Sequence, residues 1–379
     1  MSNLSAAPVA SGHSETTQQL IRIWQELLGV ESVGVDQNYF DLGGDSSLAV
    51  QLFARIDKTF HVKLPLATLF EAPTIEDLSR ILEQEAVAPE PSSGGWNPLV
   101  AIQPNGNRPT LFCMHGAGGN VLIYRDLSRY LGPDQPFYGL QARGLDGHES
   151  PLATIEEMAE LYVKEIRKRQ PHGPYFIAGY CMGGTLAYEV ARQLQSAGEQ
   201  IALLALFDTM DWSKVSRLST WDKAYHALER VFFHAANFFS LDSQGRKKFF
   251  GEKVEALKNR LPVWRGMMMA KLSKDASKDR DTQDQHSLAL GRVWQTNDRA
   301  CANYRPQHFA GVVTDFRPKK QYRIFRRPDL KWEQLADRQE VVVLPVYPAG
   351  MLFDPFVKRL ADALRQSMDK ALASTAARQ

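Results

Sequence analysis

Apolar residues recur at helical spacing in the first part of the chain. Leu20, Ile21, Ile23, Trp24, Leu27 and Leu28 share one face, and Leu48, Leu52, Phe53 and Ile56 share another, the pattern of amphipathic helices. Thr74 followed by Asp77 has the spacing of a capping box and opens a third stretch carrying Ile75, Leu78 and Leu82. The period is lost in EAVAPEPSSGGWNP, residues 85–98, whose Pro, Gly, Ser and Ala content reads as a linker. Beyond it, short apolar runs (TLFCMHG, PYFIAGY, ALLALFD, VVTDFRP, EVVVLPV) alternate with amphipathic stretches such as TIEEMAELYVKEIRKR and GTLAYEVARQLQSAG. Strands alternating with helices predict a mostly parallel sheet covered on both faces. The alternation lapses from about 213 to 285, a helical, aromatic-rich stretch with more Lys and Arg than Asp and Glu, read as a lid inserted into the sheet domain. The predicted organisation is a disordered lead-in over 1–16, a helical domain over 17–85, a linker over 86–97, and a sheet domain over 98–379.

Composition adds exclusions. The 379 residues are 44% hydrophobic and 23% charged, with a formal net charge of +2, so nothing global points to nucleic acid or to a membrane surface. No apolar run is long enough to span a bilayer. The opening MSNLSAAPVASGHSE lacks the basic-then-apolar order of a secretory signal, and a cytoplasmic location is expected. Cys113, Cys181 and Cys301 are too few and too scattered for a disulfide framework or a zinc site.

Two motifs carry chemistry. In NYFDLGGDSSLAVQL, residues 38–52, a Gly-Gly turn precedes Asp45 and Ser46 at the start of an apolar helix. By spacing alone, either residue serves as an N-cap. In GPYFIAGYCMGGTLAYEV, residues 173–190, a strand runs into G-x-C-x-G and then a helix. That order suits a nucleophile elbow with sulfur in place of the usual serine oxygen. Cys181 would project from the turn between Gly179 and Gly183, where the helix N-terminus favours a thiolate. The Met182 N–H would be one oxyanion donor. The glycine-rich loop CMHGAGGN, residues 113–120, can approach closely and offers the Ala117 N–H as a second donor. Cys113 and Cys301, lying in a strand and a helix pattern, read as small buried hydrophobes, and His115 reads as structural.

The first motif, together with LATLFEAPTIEDLSRIL downstream, resembles the signature of peptidyl and acyl carrier domains, D-x-G-G-D-S followed by a hydrophobic helix. The resemblance implies a small four-helix, all-α bundle. It also implies a 4'-phosphopantetheine arm on Ser46, added by a separate phosphopantetheinyl transferase and holding a peptidyl thioester. The region 98–365, through YGLQARGLDG, IRKRQPHGPYFIAGYCMGG, ALLALFDT, ANYRPQHFAGVVTDFRP and MLFDPFVKRLADAL, resembles the type I thioesterase domain that ends nonribosomal peptide and polyketide synthetases. That resemblance implies an α/β-hydrolase fold with a helical lid, upstream synthetase modules as partners, and Asp208 as the acid that orients a histidine.

The pattern breaks at that histidine. The family places it after the last strand. Here the corresponding stretch is PVYPAGML, residues 345–352, with Pro348 at the histidine position and no histidine from 309 onward. His148 follows QARGLDG and is badly placed for Asp208. His286, opening SLALGRVWQTNDRACANY, is the expected relocated base, because in this fold that helix begins near the site. Thioesterases with cysteine elbows resemble those that close four-membered lactones or lactams, as in a monobactam-type pathway. The chain is therefore expected to release its product by cyclisation. Hydrolysis to a linear acid, or an inactive hydrolase domain acting as a carrier and docking module, stand as alternatives.

Overall fold

The computed structural model describes residues 13–87, 96–210, 216–217, 239, 246, 281–319, 325–326, 332–346 and 350–376. The chain divides into two units, Met1–Trp96 and Asn97–Gln379. Most of the expected lid (213–285) and Pro348 lie outside the described residues.

The first unit consists of α1 (Glu15–Leu28), α2 (Ser46–Phe60), the single turn α3 (Thr68–Glu71) and α4 (Ile75–Val87). Helix α1 starts earlier than the predicted lead-in of 1–16 allows. Ser14 caps it, its Oγ accepting from the Thr17 N–H at 3.3 Å, and a Ser N-cap outweighs the polar character of the residues around it. Gly29 ends the helix at φ +68, which satisfies the Gln25 carbonyl. The apolar faces meet as the periodicity predicts. Leu20, Trp24, Leu52, Ile56, Ile75 and Leu78 are buried, each contributing about 1.5–3 kcal/mol by leaving water. Between α1 and α4 the Thr17 and Ser79 hydroxyls pair at 2.7 Å, so this core also carries a satisfied polar contact.

The second unit is built on a seven-stranded sheet. Its strands are β1 (Leu99–Gln103), β2 (Leu111–Met114), β3 (Phe137–Leu140), β4 (Tyr175–Tyr180), β5 (Ile201–Phe207), β6 (Phe309–Pro318) and β7 (Ala336–Leu344). Their spatial order is β1-β3-β2-β4-β5-β6-β7, and only β1 runs antiparallel to its neighbour. Strands β2, β3 and β4 are buried almost throughout, which is why they read as unbroken apolar runs rather than alternations. Its longer helices among the described residues are α5 (Arg125–Leu131), α6 (Ile155–Arg169), α7 (Met182–Ser196), α8 (Asp281–Asn303) and α9 (Val357–Ala376). Thr154 and Glu157 form a full capping box at the start of α6. Helix α7 is buried on most sides and packs on β4 at the middle of the sheet, placing its N-terminus at the carboxyl edge of the strands, where α/β sheets carry their sites. Among the described residues no helix is long and apolar enough to cross a membrane.

Candidate active site

Strand β4 ends at Tyr180, and α7 begins at Met182. Cys181 is the whole turn between them. It adopts φ 57° and ψ −116°, a region that costs a non-glycine residue energy and persists only when the surroundings impose it. Three glycines make room for it. A Cβ on Gly179 would overlap the Gly183 carbonyl, one on Gly183 would overlap the Met114 carbonyl, and one on Gly184 would overlap the Thr209 hydroxyl. The Cys181 N–H donates to the Phe207 carbonyl at 2.9 Å, tying the turn to the end of β5. The side chain is half-buried and stands at the N-terminus of a 15-residue helix.

Asp208 follows β5 directly. It is buried, also at positive φ (45°), and its N–H donates to the Phe316 carbonyl at 2.9 Å. Because Tyr180 pairs with Phe207 across β4 and β5, Cys181 and Asp208 leave adjacent strands at the same level. Beside Asp208 lies a second buried carboxylate, Asp315 on β6. Its Oδ2 accepts from Arg317 Nε at 2.6 Å and from Gln339 Nε2 at 3.0 Å, while its Oδ1 has no partner. Burial raises its pKa above the usual carboxylate range, and the charge of Asp208 pushes in the same direction.

The loop after β2 abuts the elbow. Gly183 packs against the Met114 and His115 carbonyls, and Gly116 lies close to the Tyr180 carbonyl, so the sequence-expected donors Ala117 and Met182 sit on adjoining backbone. Tyr124, which the sequence did not single out, joins the two sides. Its hydroxyl accepts from the Tyr180 N–H at 2.9 Å and donates to the Met114 carbonyl at 2.6 Å. His115 is fully buried: Nδ1 donates to the Gly116 carbonyl at 2.7 Å, and Nε2 accepts from the Tyr162 hydroxyl at 2.7 Å. Burial holds its pKa down at about 4, so the ring is neutral.

The remaining histidines separate. His148 is exposed in the loop after β3, and β2 lies between β3 and β4. His172 and His308 are exposed beside Glu199 and Asp337. His286 does not open its helix: residues 281–285 ahead of it are already helical in α8, since no Gly or Pro interrupts them. The His286 side chain lies outside the described residues. Cys113 and Cys301 are buried thiols, both pushed up by desolvation.

In the first unit Ser46 is the first residue of α2, preceded by the Gly43-Gly44 turn. Asp45 Oδ1 caps the helix by accepting from the Leu48 N–H at 2.8 Å. Gly44 lies flush against the Tyr39 ring, where any Cβ would collide. A phosphodiester-linked arm fits this place, since the helix terminus favours an anion and the capping is already done by Asp45. The arm supplies a terminal thiol that holds an acyl group as a thioester. Among the described residues no cluster of three or more His, Cys, Asp or Glu could hold a metal ion.

Comparison with known proteins bears on both units. A thioesterase domain model matches residues 109–301, and a phosphopantetheine attachment site model matches residues 18–82. A dimodular nonribosomal peptide synthase of Bacillus subtilis (strain 168) is 40% identical over 317 residues, covering 82% of this chain and 12% of that protein. The malpinin synthetase of Mortierella alpina is 44% identical over 190 residues, 50% of this chain and 2% of the synthetase. A solved four-domain nonribosomal peptide synthetase, in its holo form with AMP and glycine, aligns over 97% of this chain and 27% of its own at 26% identity and a TM-score of 0.54. The chain thus spans a small part of the relatives it matches.

Proposed function

The chain belongs to the thioesterase domain family, with a phosphopantetheine carrier domain in front of it, and from that premise we propose that it takes a peptidyl group from its own carrier onto Cys181 and releases it by intramolecular cyclisation. The observation that carries the reading is the elbow: a half-buried thiol at φ 57° between obligatory glycines, at a helix N-terminus and level with a buried Asp208. Ser46 is the attachment residue. Upstream synthetase modules load the carrier, a phosphopantetheinyl transferase primes it, and the protein works in the cytoplasm.

Cys181 attacks the acyl carbonyl as a thiolate. Having given its proton to the base, the thiolate adds to the carbonyl carbon to form a tetrahedral oxyanion; as this collapses the bond to the carrier sulfur breaks, and the carrier thiolate takes the proton back from the base and leaves as a thiol. The Met182 and Ala117 N–H groups meet the developing oxyanion. A nitrogen or oxygen within the acyl chain then attacks, losing its proton to the base while the Cys181 thiolate departs. His286 is the proposed base and Asp208 the group that orients it. Sulfur suits this task because passing from thioester to thioester keeps the acyl group activated, whereas a serine ester would spend that energy before ring closure. A strained ring of the β-lactam type is the product class that most needs it.

The test is to load Ser46 with a phosphopantetheinyl peptide and follow the intact protein and released product by mass spectrometry, with Cys181→Ser and His286→Ala alongside. A product one water lighter than the free acid, lost in both variants, is the expected result. Release of the free acid makes the protein a hydrolase. A peptide that stays on Ser46 across a matched substrate series makes the second unit an inactive docking module.

A further inference from the structure

We propose that Asn297 is a positioning residue that sets the oxyanion loop; this rests on the reading of Ala117 as an oxyanion donor. Asn297 lies on α8, 180 residues along the chain from that loop, and is fully buried. Its Nδ2 donates to the Ala117 carbonyl at 2.9 Å, while its Oδ1 has no hydrogen-bond partner. A buried amide with one half unpaired is a poor choice for stability, since an apolar side chain of similar size would fill the space without that penalty. What an apolar residue cannot do is hold the Ala117 carbonyl.

The loop needs holding. It contains Gly116, Gly118 and Gly119, the last at φ +80, so its backbone has unusual freedom. Two peptide planes meet at Ala117. The plane that carries the Ala117 N–H also carries the Gly116 carbonyl, which accepts from His115 Nδ1 at 2.7 Å and from the Gly119 N–H at 2.9 Å. The next plane carries the Ala117 carbonyl, gripped by Asn297. Peptide planes are rigid, so fixing both leaves the Ala117 dihedrals no latitude, and the N–H keeps one direction. The same helix face reinforces the grip, with Val293 against Gly119 and Trp294 against Gly118.

The experiment uses the full chain loaded on Ser46 for single-turnover acylation of Cys181, and a soluble thioester of the same acyl group for kcat and KM. Asn297→Leu is expected to lower the acylation rate and kcat by about 10- to 100-fold with little change in KM. Alkylation of Cys181 by iodoacetamide, a reaction that develops no oxyanion, should proceed at the parent rate. Asn297→Ser, too short to reach the carbonyl but able to admit water, should behave alike and covers the case in which the leucine variant does not fold. Parent-like kcat in either folded variant overturns the inference, as does a loss of alkylation rate equal to the loss of kcat, which would mean a displaced elbow. A parent chain that never acylates Cys181 removes the proposed reaction and this inference together, whereas normal parent turnover with normal variants removes this inference alone.

Discussion

Cys181 holds an unfavourable backbone conformation because it is the whole turn between β4 and α7, tied to the Phe207 carbonyl and packed closely where its glycine neighbours leave room. The chemistry of its side chain plays no part in that constraint. Two substitutions separate the effects. Gly179→Ala drives a Cβ into the Gly183 carbonyl, which belongs to the first turn of α7 and cannot swing aside. It should cost about 1–3 kcal/mol or more, read as a lower urea midpoint, and acylation should fall with it. Cys181→Ser changes one atom, and its unfolding free energy from urea titration should stay within about 0.5 kcal/mol of the parent. Much of this was legible in the sequence, because Gly179, Cys181 and Gly183 announce a tight turn through their spacing. Asp208 was less so: nothing local distinguishes it from a helix cap, and only resemblance pointed to it. Asn297 and Tyr124 left no trace, since each hydrogen-bonds to backbone atoms of distant residues, and a backbone partner has no side-chain signature.

At the level of elements, β2 and β4 are neighbouring parallel strands whose ends must stay in register for the loop and the elbow to meet. Ladder hydrogen bonds stop where the strands stop, and the Tyr124 hydroxyl takes over, bonding one group from each. Tyr124→Phe preserves the packing but strands the Tyr180 N–H and the Met114 carbonyl in a buried setting. The expected loss is about 1–3 kcal/mol, measured by urea unfolding, with the elbow thiol reacting more heterogeneously toward iodoacetamide. The strands were legible because buried parallel strands are continuous apolar runs. Helix boundaries were harder to read. In α8 the residues from Asp281 are already helical ahead of Leu288, where the apolar pattern sets in, because hydrophobic periodicity reports where a helix is buried and is blind to a polar stretch.

For the whole molecule, His115 links stability to pH. Its folded pKa, about 4, lies below the ordinary value of 6.5. Between those values the unfolded chain binds a proton that the folded chain refuses, so stability is fully present above 6.5 and drains away as pH falls toward 4. Between pH 7.5 and pH 5 the loss should be about 2 kcal/mol. Urea unfolding at both values, with His115→Asn for comparison, checks it: the parent should lose that much more than the variant. On the same scale, the candidate groups Cys181, Asp208 and Ala117 all follow the carboxyl ends of strands β4, β5 and β2, while the apolar interior of the sheet meets none of the reacting atoms. Framework and chemistry are therefore physically separable: a substitution confined to the strand ends can change or abolish the reaction while the buried sheet that sets the fold keeps every one of its contacts.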